Sequence, residues 1–268
     1  MTGKEKFEYN GQELGYDLSD FWRFHYSNIY DIQGRIAEFI VAKALEVHQS
    51  QNDRYWTLWD LTYKGLRIEI KETSYYHSFN AEGKISRRRS FGIGKAHGSY
   101  DPLISGNSDY RRQNDVYVFC LNTGDTQEES YPLNLNNWEF YIVPTSVINE
   151  RCGDNKTVSL NRIKKLGYAP TPYEKIKTVM DELALLKAHD LSHNHKSMLM
   201  KRQKCGCFYC LSVFDSSKIE NWLEHPNPCD CKGTALCPEC GIDSVIGESS
   251  GFPITEEFLK AMRAKWFE

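Results

Sequence analysis

The sequence predicts an α/β protein with a mixed central sheet flanked by helices, followed by a small C-terminal cysteine-rich module. Three observations carry this expectation. A helical apolar stripe around residue 40 precedes three or four strand-like segments, and a second helical stripe follows them. The run Asp115-Val-Tyr-Val-Phe-Cys-Leu121 is almost continuously apolar and rich in β-formers, as in a strand buried on both faces. Of nine cysteines, all but Cys120 and Cys152 fall between Cys205 and Cys240.

The chain has 268 residues. We divide it into an α/β domain over 1–190, a basic linker over 191–204 and the cysteine module over 205–268. Apolar residues make up 40% and charged residues 26%, which predicts a packed core rather than disorder. The net charge of −3 gives no global attraction for polyanions, so any nucleic-acid surface must be local. Met1 to Tyr9 is charged and polar, and no apolar run approaches the roughly 18 residues of a membrane helix. A cytoplasmic protein without a membrane partner is expected.

Asp31 to Val47 reads as a helix with Ile32, Ile36, Phe39, Ile40 and Leu45 on its apolar side, and Glu38 lies among them. A β-hairpin follows over 55–72, turning at Lys64-Gly65. That turn pairs Leu61 with Ile68, Asp60 with Glu69, Trp59 with Ile70 and Leu58 with Lys71. One face then carries Trp59, Leu61, Ile68 and Ile70 as core, and the other carries Asp60, Glu69 and Lys71. Residues 73–113 are long and polar for a connection. They contain Arg87, Arg88, Arg89, Arg111 and Arg112, interleaved with Tyr75, Tyr76, Phe91 and Tyr100. The buried strand 115–121 comes next, then a strand from Trp138 to Val143 and a short helix from Thr145 to Asn149. A helix over Tyr173–Ala188 presents Ile176, Met180, Leu183 and Leu186. Thr255 is placed to cap a last helix over Glu256–Phe267 that shows Phe258, Met262 and Trp266 on one side.

Directly opposed Cβ atoms in a hairpin lie ~5 Å apart, and like charges there repel. Asp60 and Glu69 would need a proton or a cation between them. A hard divalent cation, Mg²⁺ above all, suits oxygen ligands, and the Ile70 carbonyl lies between the two side chains in sequence. Lys71 can orient or acidify an attacking water, or stabilise charge on phosphorus. That set is what phosphodiester cleavage needs. The competing explanation is an amphipathic hairpin whose polar face is merely solvated, with Lys71 as charge balance. His77 is a second loop candidate for substrate contact.

These residues resemble the PD-(D/E)xK, or restriction-endonuclease-like, nuclease superfamily. The matching positions are Asp60, Glu69-Ile70-Lys71 and Glu38 in Arg35-Ile36-Ala37-Glu38-Phe39, with the strands 115–121 and 138–143 completing a core over roughly 25–150. The resemblance implies a restriction-endonuclease-like core in which Asp60 and Glu69 bind Mg²⁺ or Mn²⁺, Glu38 supports them, and Lys71 acts on the water or the phosphate. It further implies endonuclease action on DNA, in restriction, defence, mobile-element or repair systems, and a homodimer that cuts two strands. Trp59 stands where the family pattern has a proline. In this setting Arg87, Arg88, Arg89, Arg111 and Arg112 are candidates for phosphate contact, with the aromatics stacking on bases.

Cys207-Phe-Tyr-Cys210 and Cys237-Pro-Glu-Cys240 are two Cys-x2-Cys knuckles, the spacing of a closed structural Zn²⁺ site. Metal would stabilise a module too small for a large core. The layout resembles a treble-clef zinc finger but has no His-Asn-His set. Cys205, Cys229, Cys231 and His225 either build a second site or are spare. Two other functions remain open: a catalytically inactive nucleic-acid-binding protein on this scaffold, and a zinc-dependent interaction protein.

Overall fold

The computed structural model describes residues 2–9, 11–26, 32–47, 58–76, 89–97, 110–224 and 233–268. At the N-terminus β1 (Lys6–Tyr9) and β2 (Gln12–Asp17) form an antiparallel hairpin that runs into α1 (Leu18–His25). Asp17 caps α1, its carboxylate accepting from the Ser19 and Asp20 amides. α2 (Gln33–Ala44) falls inside the predicted helix 31–47 and packs on the central sheet. Its buried apolar residues are Ala37, Ile40 and Val41, with Gln33 buried at its start and Leu45 just beyond, whereas Phe39 is exposed. The inward stripe is thus rotated from the predicted one, and small Ala37 lies on the side that meets the sheet.

β3 (Leu61–Tyr63) and β4 (Leu66–Ser74) make the predicted hairpin, with Leu61 opposite Ile68, Thr62 opposite Arg67 and Tyr63 opposite Leu66. Lys64 (φ 44°) and Gly65 (φ 88°) are both left-handed, as a two-residue turn matched to strand twist requires. β5 (Ser90–Gly92) follows, then β6 (Val116–Asn122), all seven of whose residues are buried. β7 (Trp138–Pro144) leads directly into α3 (Thr145–Cys152). The main sheet has the order β3-β4-β6-β7, with β4 and β6 parallel and both outer pairs antiparallel. The predicted mixed sheet is present, and the run 115–121 is an interior strand.

β8 (Thr157–Ser159) pairs with β5, and α4 (Leu160–Lys165) follows β8. Together with α3 they cover one face of β6 and β7: Phe91, Ile93, Ile148, Val158, Leu160 and Ile163 pack on Tyr117, Phe119, Leu121, Tyr141 and Val143. Part of the long polar stretch 73–113 is therefore structural. The other face is covered by α2 and by α5 (Ile176–Asp190). α5 buries Ile176, Met180, Ala184 and Ala188, while Leu186 is exposed. The two alanines let the helix approach the sheet where the sequence pattern had suggested leucines.

Residues 191–204 pack rather than bridge a gap. Ser192, His195 and Leu199 are buried, and α6 (Lys196–Leu199) forms there. β9 (Lys204–Cys207), β10 (Val213–Asp215), β11 (Trp222–Leu223), β12 (Thr234–Ala235) and β13 (Val245–Gly247) then build a three-stranded sheet of order β10-β9-β13 and a β11–β12 ladder. α7 (Glu256–Trp266) closes the chain, its first turn capped by the Thr255 hydroxyl, which accepts from Phe258 N–H. The boundary near 205 marks a change of chemistry but not a separate core. Phe208, Ile246, Phe252, Ile254, Phe258, Leu259 and Met262 belong to the same apolar cluster as Ile68, Val118 and Ile142. A smaller cluster of Leu199, Cys205, Phe214, Ile219, Ala235 and Val245 is the module's own. Among the described residues no helix is long and apolar enough to cross a membrane.

Candidate active site and cysteine centre

Alternation along β4 sends Ile68 and Ile70 into the core and places Arg67, Glu69 and Lys71 on the opposite face. The ladder with β3 ends at Leu61 and Ile68. Residues 58–60 bend away, so the expected pairs Asp60–Glu69, Trp59–Ile70 and Leu58–Lys71 do not form as strand partners. Asp60 replaces them. Its N–H donates to the Ile68 carbonyl at 2.9 Å, and its carboxylate accepts the Ile70 N–H at 2.7 Å. A short carboxylate at a strand end competes in this way with backbone acceptors. The N–H and C=O of one strand residue point the same way, so the Ile70 carbonyl faces the Asp60 side of β4. Trp59 is not core: it is half-buried, its indole N–H donates to the Thr62 hydroxyl at 2.9 Å, and the Arg67 guanidinium lies over its ring.

Lys71 is ion-paired with Glu69. On α2, Arg35 donates to Glu38 at 2.9 Å. Burial pushes the Glu69 carboxyl above the usual carboxylate range, the charge of Asp60 adds to that, and Lys71 opposes it. Glu38 is likewise raised by burial and then by Asp60, with Arg35 and Lys71 opposing. Glu38, Asp60, Glu69 and Lys71 therefore share one electrostatic neighbourhood, built from α2, the bend before β3 and the middle of β4. The donors are hard oxygens whose mutual repulsion a divalent cation would relieve, which fits Mg²⁺ or Mn²⁺. The acids are less tightly gathered than the thiols. Among the described residues, Cys207, Cys210, Cys237 and Cys240 form the one group of three or more His, Cys, Asp or Glu whose ligand atoms all lie within 4.8 Å of one another.

The predicted basic contacts divide. Arg112 is buried; its guanidinium donates to the Ile93 and Asn155 carbonyls and to the Asn149 side chain. It braces the β5–α3 layer, and its burial removes it from the phosphate-facing candidates. Arg89 turns inward, donating to the Tyr75 carbonyl at 2.7 Å and lying over the Tyr75 ring. Arg111 is exposed beside Ala96, with which its backbone pairs. His77, Arg87, Arg88, His225, Cys229 and Cys231 lie outside the described residues.

Two neighbours were not legible as site residues. Arg35 has only its i,i+3 spacing from Glu38 as a signal. Glu72, next to Lys71 but on the other face, is pushed up to about 7 by burial, partly offset by Arg89. A cavity of about 480 Å³ opens at the far end of β4, lined by Arg67, Asp115, Ser146 and Lys187 among others. Arg67 and Asp115 are bound bidentately there, and the acid row is not part of that cavity.

At the cysteine centre, Sγ of Cys207 lies 3.7 Å from that of Cys240, and Sγ of Cys210 lies 3.7 Å from that of Cys237. A tetrahedron with metal–sulfur bonds of ~2.3 Å has edges of roughly 3.8 Å, so the geometry is compatible with structural Zn²⁺. The Cys210 amide donates to Cys207 Sγ at 3.5 Å, and the Ser212 and Ser244 hydroxyls lie 2.8 Å and 3.1 Å from Cys210 and Cys207 sulfurs. Such outer contacts orient and stabilise thiolates. Cys205 is buried in the module's own core and is not among the four.

A scan of protein-family models, a search of curated proteins and a search of solved structures each return no match to this chain.

Proposed function

We propose that this chain is a divalent-cation-dependent endodeoxyribonuclease. The observation that carries the reading is the gathering of Glu38, Asp60, Glu69 and Lys71 where β4 runs on past its short edge partner. Bound Mg²⁺ or Mn²⁺ would supply a Lewis acid and an activated water. Asp60, Glu69 and the Ile70 carbonyl would hold the cation, and Glu38 would support it from α2. Lys71, whose ammonium already sits on Glu69, would donate to the attacking water or to a phosphate oxygen. The resemblance in the Glu69-Ile70-Lys71 strand and the acid before it agrees with this assignment of roles. The cysteine centre, closed with four ligands, would brace the fold and leave no position for a reacting water.

Cleavage of supercoiled and linear DNA with Mg²⁺ or Mn²⁺ tests the reading. Wild type is expected to nick or cut, and Lys71→Ala to lose on the order of a hundredfold or more while keeping its fold. A folded wild-type protein that cuts neither substrate with either cation would remove the enzymatic reading. DNA binding without cleavage would leave the inactive-scaffold alternative.

A further inference from the structure

The acid row has a cation at each end, and the two ends differ. Lys71 is paired with Glu69 on the sheet, and the side chains are 37% and 19% exposed. Arg35 is paired with Glu38 on α2, but here the arginine side chain is 79% exposed and the glutamate side chain 27%. The acid of this pair faces the row while its arginine faces solvent at the rim. Glu38 holds the Arg35 pKa above its ordinary value, and the charge of Asp60 adds a smaller push in the same direction.

A phosphodiester approaching three carboxylates is repelled unless cationic groups stand at the entrance. Among the described arginines, Arg67 is bound to Asp115, Arg112 to the β5–α3 layer and Arg89 to Tyr75, while Arg111 is exposed beside Ala96. Arg35 is accessible, and a guanidinium matches phosphate oxygens in a fork that an ammonium cannot reproduce.

We infer that Arg35 is a substrate-binding residue of this site: Glu38 holds its guanidinium at the rim of the acid row, and on substrate arrival it exchanges that carboxylate for the oxygens of a DNA phosphate. This rests on the nuclease reading. Arg35 and a divalent cation then compete for Glu38, and Arg35 and the cation cooperate on DNA. A purely structural Arg35–Glu38 pair predicts the opposite, because loss of the arginine would disorder Glu38 and weaken cation binding.

The test uses the full chain and the variants Arg35→Ala and Arg35→Lys, with thermal melts to verify folding. Mn²⁺ affinity is measured by calorimetry without DNA. Affinity for a short duplex is measured in Ca²⁺ across a salt series. For Arg35→Ala we expect unchanged or tighter Mn²⁺ binding, roughly tenfold weaker DNA binding, and a slope of log K against log salt that is shallower by about 0.9, the value for one phosphate contact. Arg35→Lys should restore the slope but only part of the affinity. Unchanged DNA affinity and slope, in a protein whose wild type cleaves DNA, would overturn the inference and leave the nuclease reading standing. Weaker Mn²⁺ binding by Arg35→Ala would also overturn it, in favour of the structural pair. A wild type that neither binds Mn²⁺ nor cleaves would overturn both.

Discussion

The cysteine centre and the carboxylate row both gather side chains of metal-ligating type, but they handle charge differently. Two knuckles supply all four sulfurs from short local turns, and burial pushes the Cys207 and Cys240 thiols up, which limits charge repulsion until a metal displaces their protons. Carboxylates at neutral pH repel one another. Each member of the row accordingly has its own compensation: Lys71 for Glu69, Arg35 for Glu38, and the Ile70 N–H for Asp60. The first centre is therefore closed and structural in character. The second is looser and draws on three elements, which suits the cation and phosphate of the proposed reaction.

The strongest test of this contrast concerns the cysteines. Because module residues such as Phe252 and Leu259 share a cluster with the central sheet, damage at the cysteine centre should reach the sheet. Cys237→Ser is expected to lower stability by on the order of 5 kcal/mol or more, since structural zinc contributes a free energy comparable to that of a whole domain. Guanidinium unfolding followed by far-ultraviolet circular dichroism should give one transition at a lower midpoint, or no folded baseline. Two transitions, with the larger unchanged, would show that the regions fold separately.

The turn between β3 and β4 is one place where the regions touch. A Cβ on Gly65 would lie 2.6 Å from the Gly251 carbonyl oxygen, and its φ is 88°. Gly11 is also left-handed, at 75°, but a Cβ there meets nothing within 4 Å. Gly11→Ala should cost only the backbone penalty of about 1–2 kcal/mol. Gly65→Ala should cost clearly more, because backbone on the module must move. Equal losses in the two variants would mean that the turn is not braced by the module.

Local chemistry was legible in the sequence, and long-range geometry was not. The Cys-x2-Cys knuckles, the turn at Lys64-Gly65 and the pairing of Leu61 with Ile68 follow from residues close in sequence, and the structure has all of them. The apolar run before Asn122 announced an interior strand because only burial on both faces tolerates such a run. The bend at Asp60 was missed because strand alternation says nothing about where a ladder stops. The inward turn of Arg112 was missed for a related reason. Its partners, Ile93 after β5, Asn149 in α3 and Asn155 in the loop after α3, are brought together only by the folded chain.

Asp60 has two roles that substitutions can separate. Asp60→Ala removes both the oxygen proposed to hold the cation and the acceptor of the Ile70 N–H, so it should cost about 1–3 kcal/mol as well as the proposed activity. Asp60→Asn keeps a neutral acceptor and should retain nearly wild-type stability while cleavage is lost. If alanine and asparagine are equally stable, the Ile70 bond does not organise the site.

An effect that shows only as a change with pH lies in the segment between the two regions. His195 is buried beside Trp222, and neither of its ring nitrogens has a hydrogen-bond partner among the described residues. Burial, aided by the charge of His193, lowers its pKa from 6.5 to about 4. Between those values the unfolded chain binds a proton that the folded chain does not, so stability falls as pH falls from 6.5 towards 4. His195→Phe keeps an aromatic ring but cannot titrate. Relative to this variant, wild type should lose at most about 3 kcal/mol across the window, at about 1.4 kcal/mol per tenfold change in proton affinity. Acid release of metal from the thiolates is common to both proteins and cancels in the difference. Denaturant midpoints measured at several pH values between 7 and 4.5 should therefore converge or cross, with wild type losing more. Parallel curves would mean that the ring has a proton partner, and that this segment is not packed as dry as its burial implies.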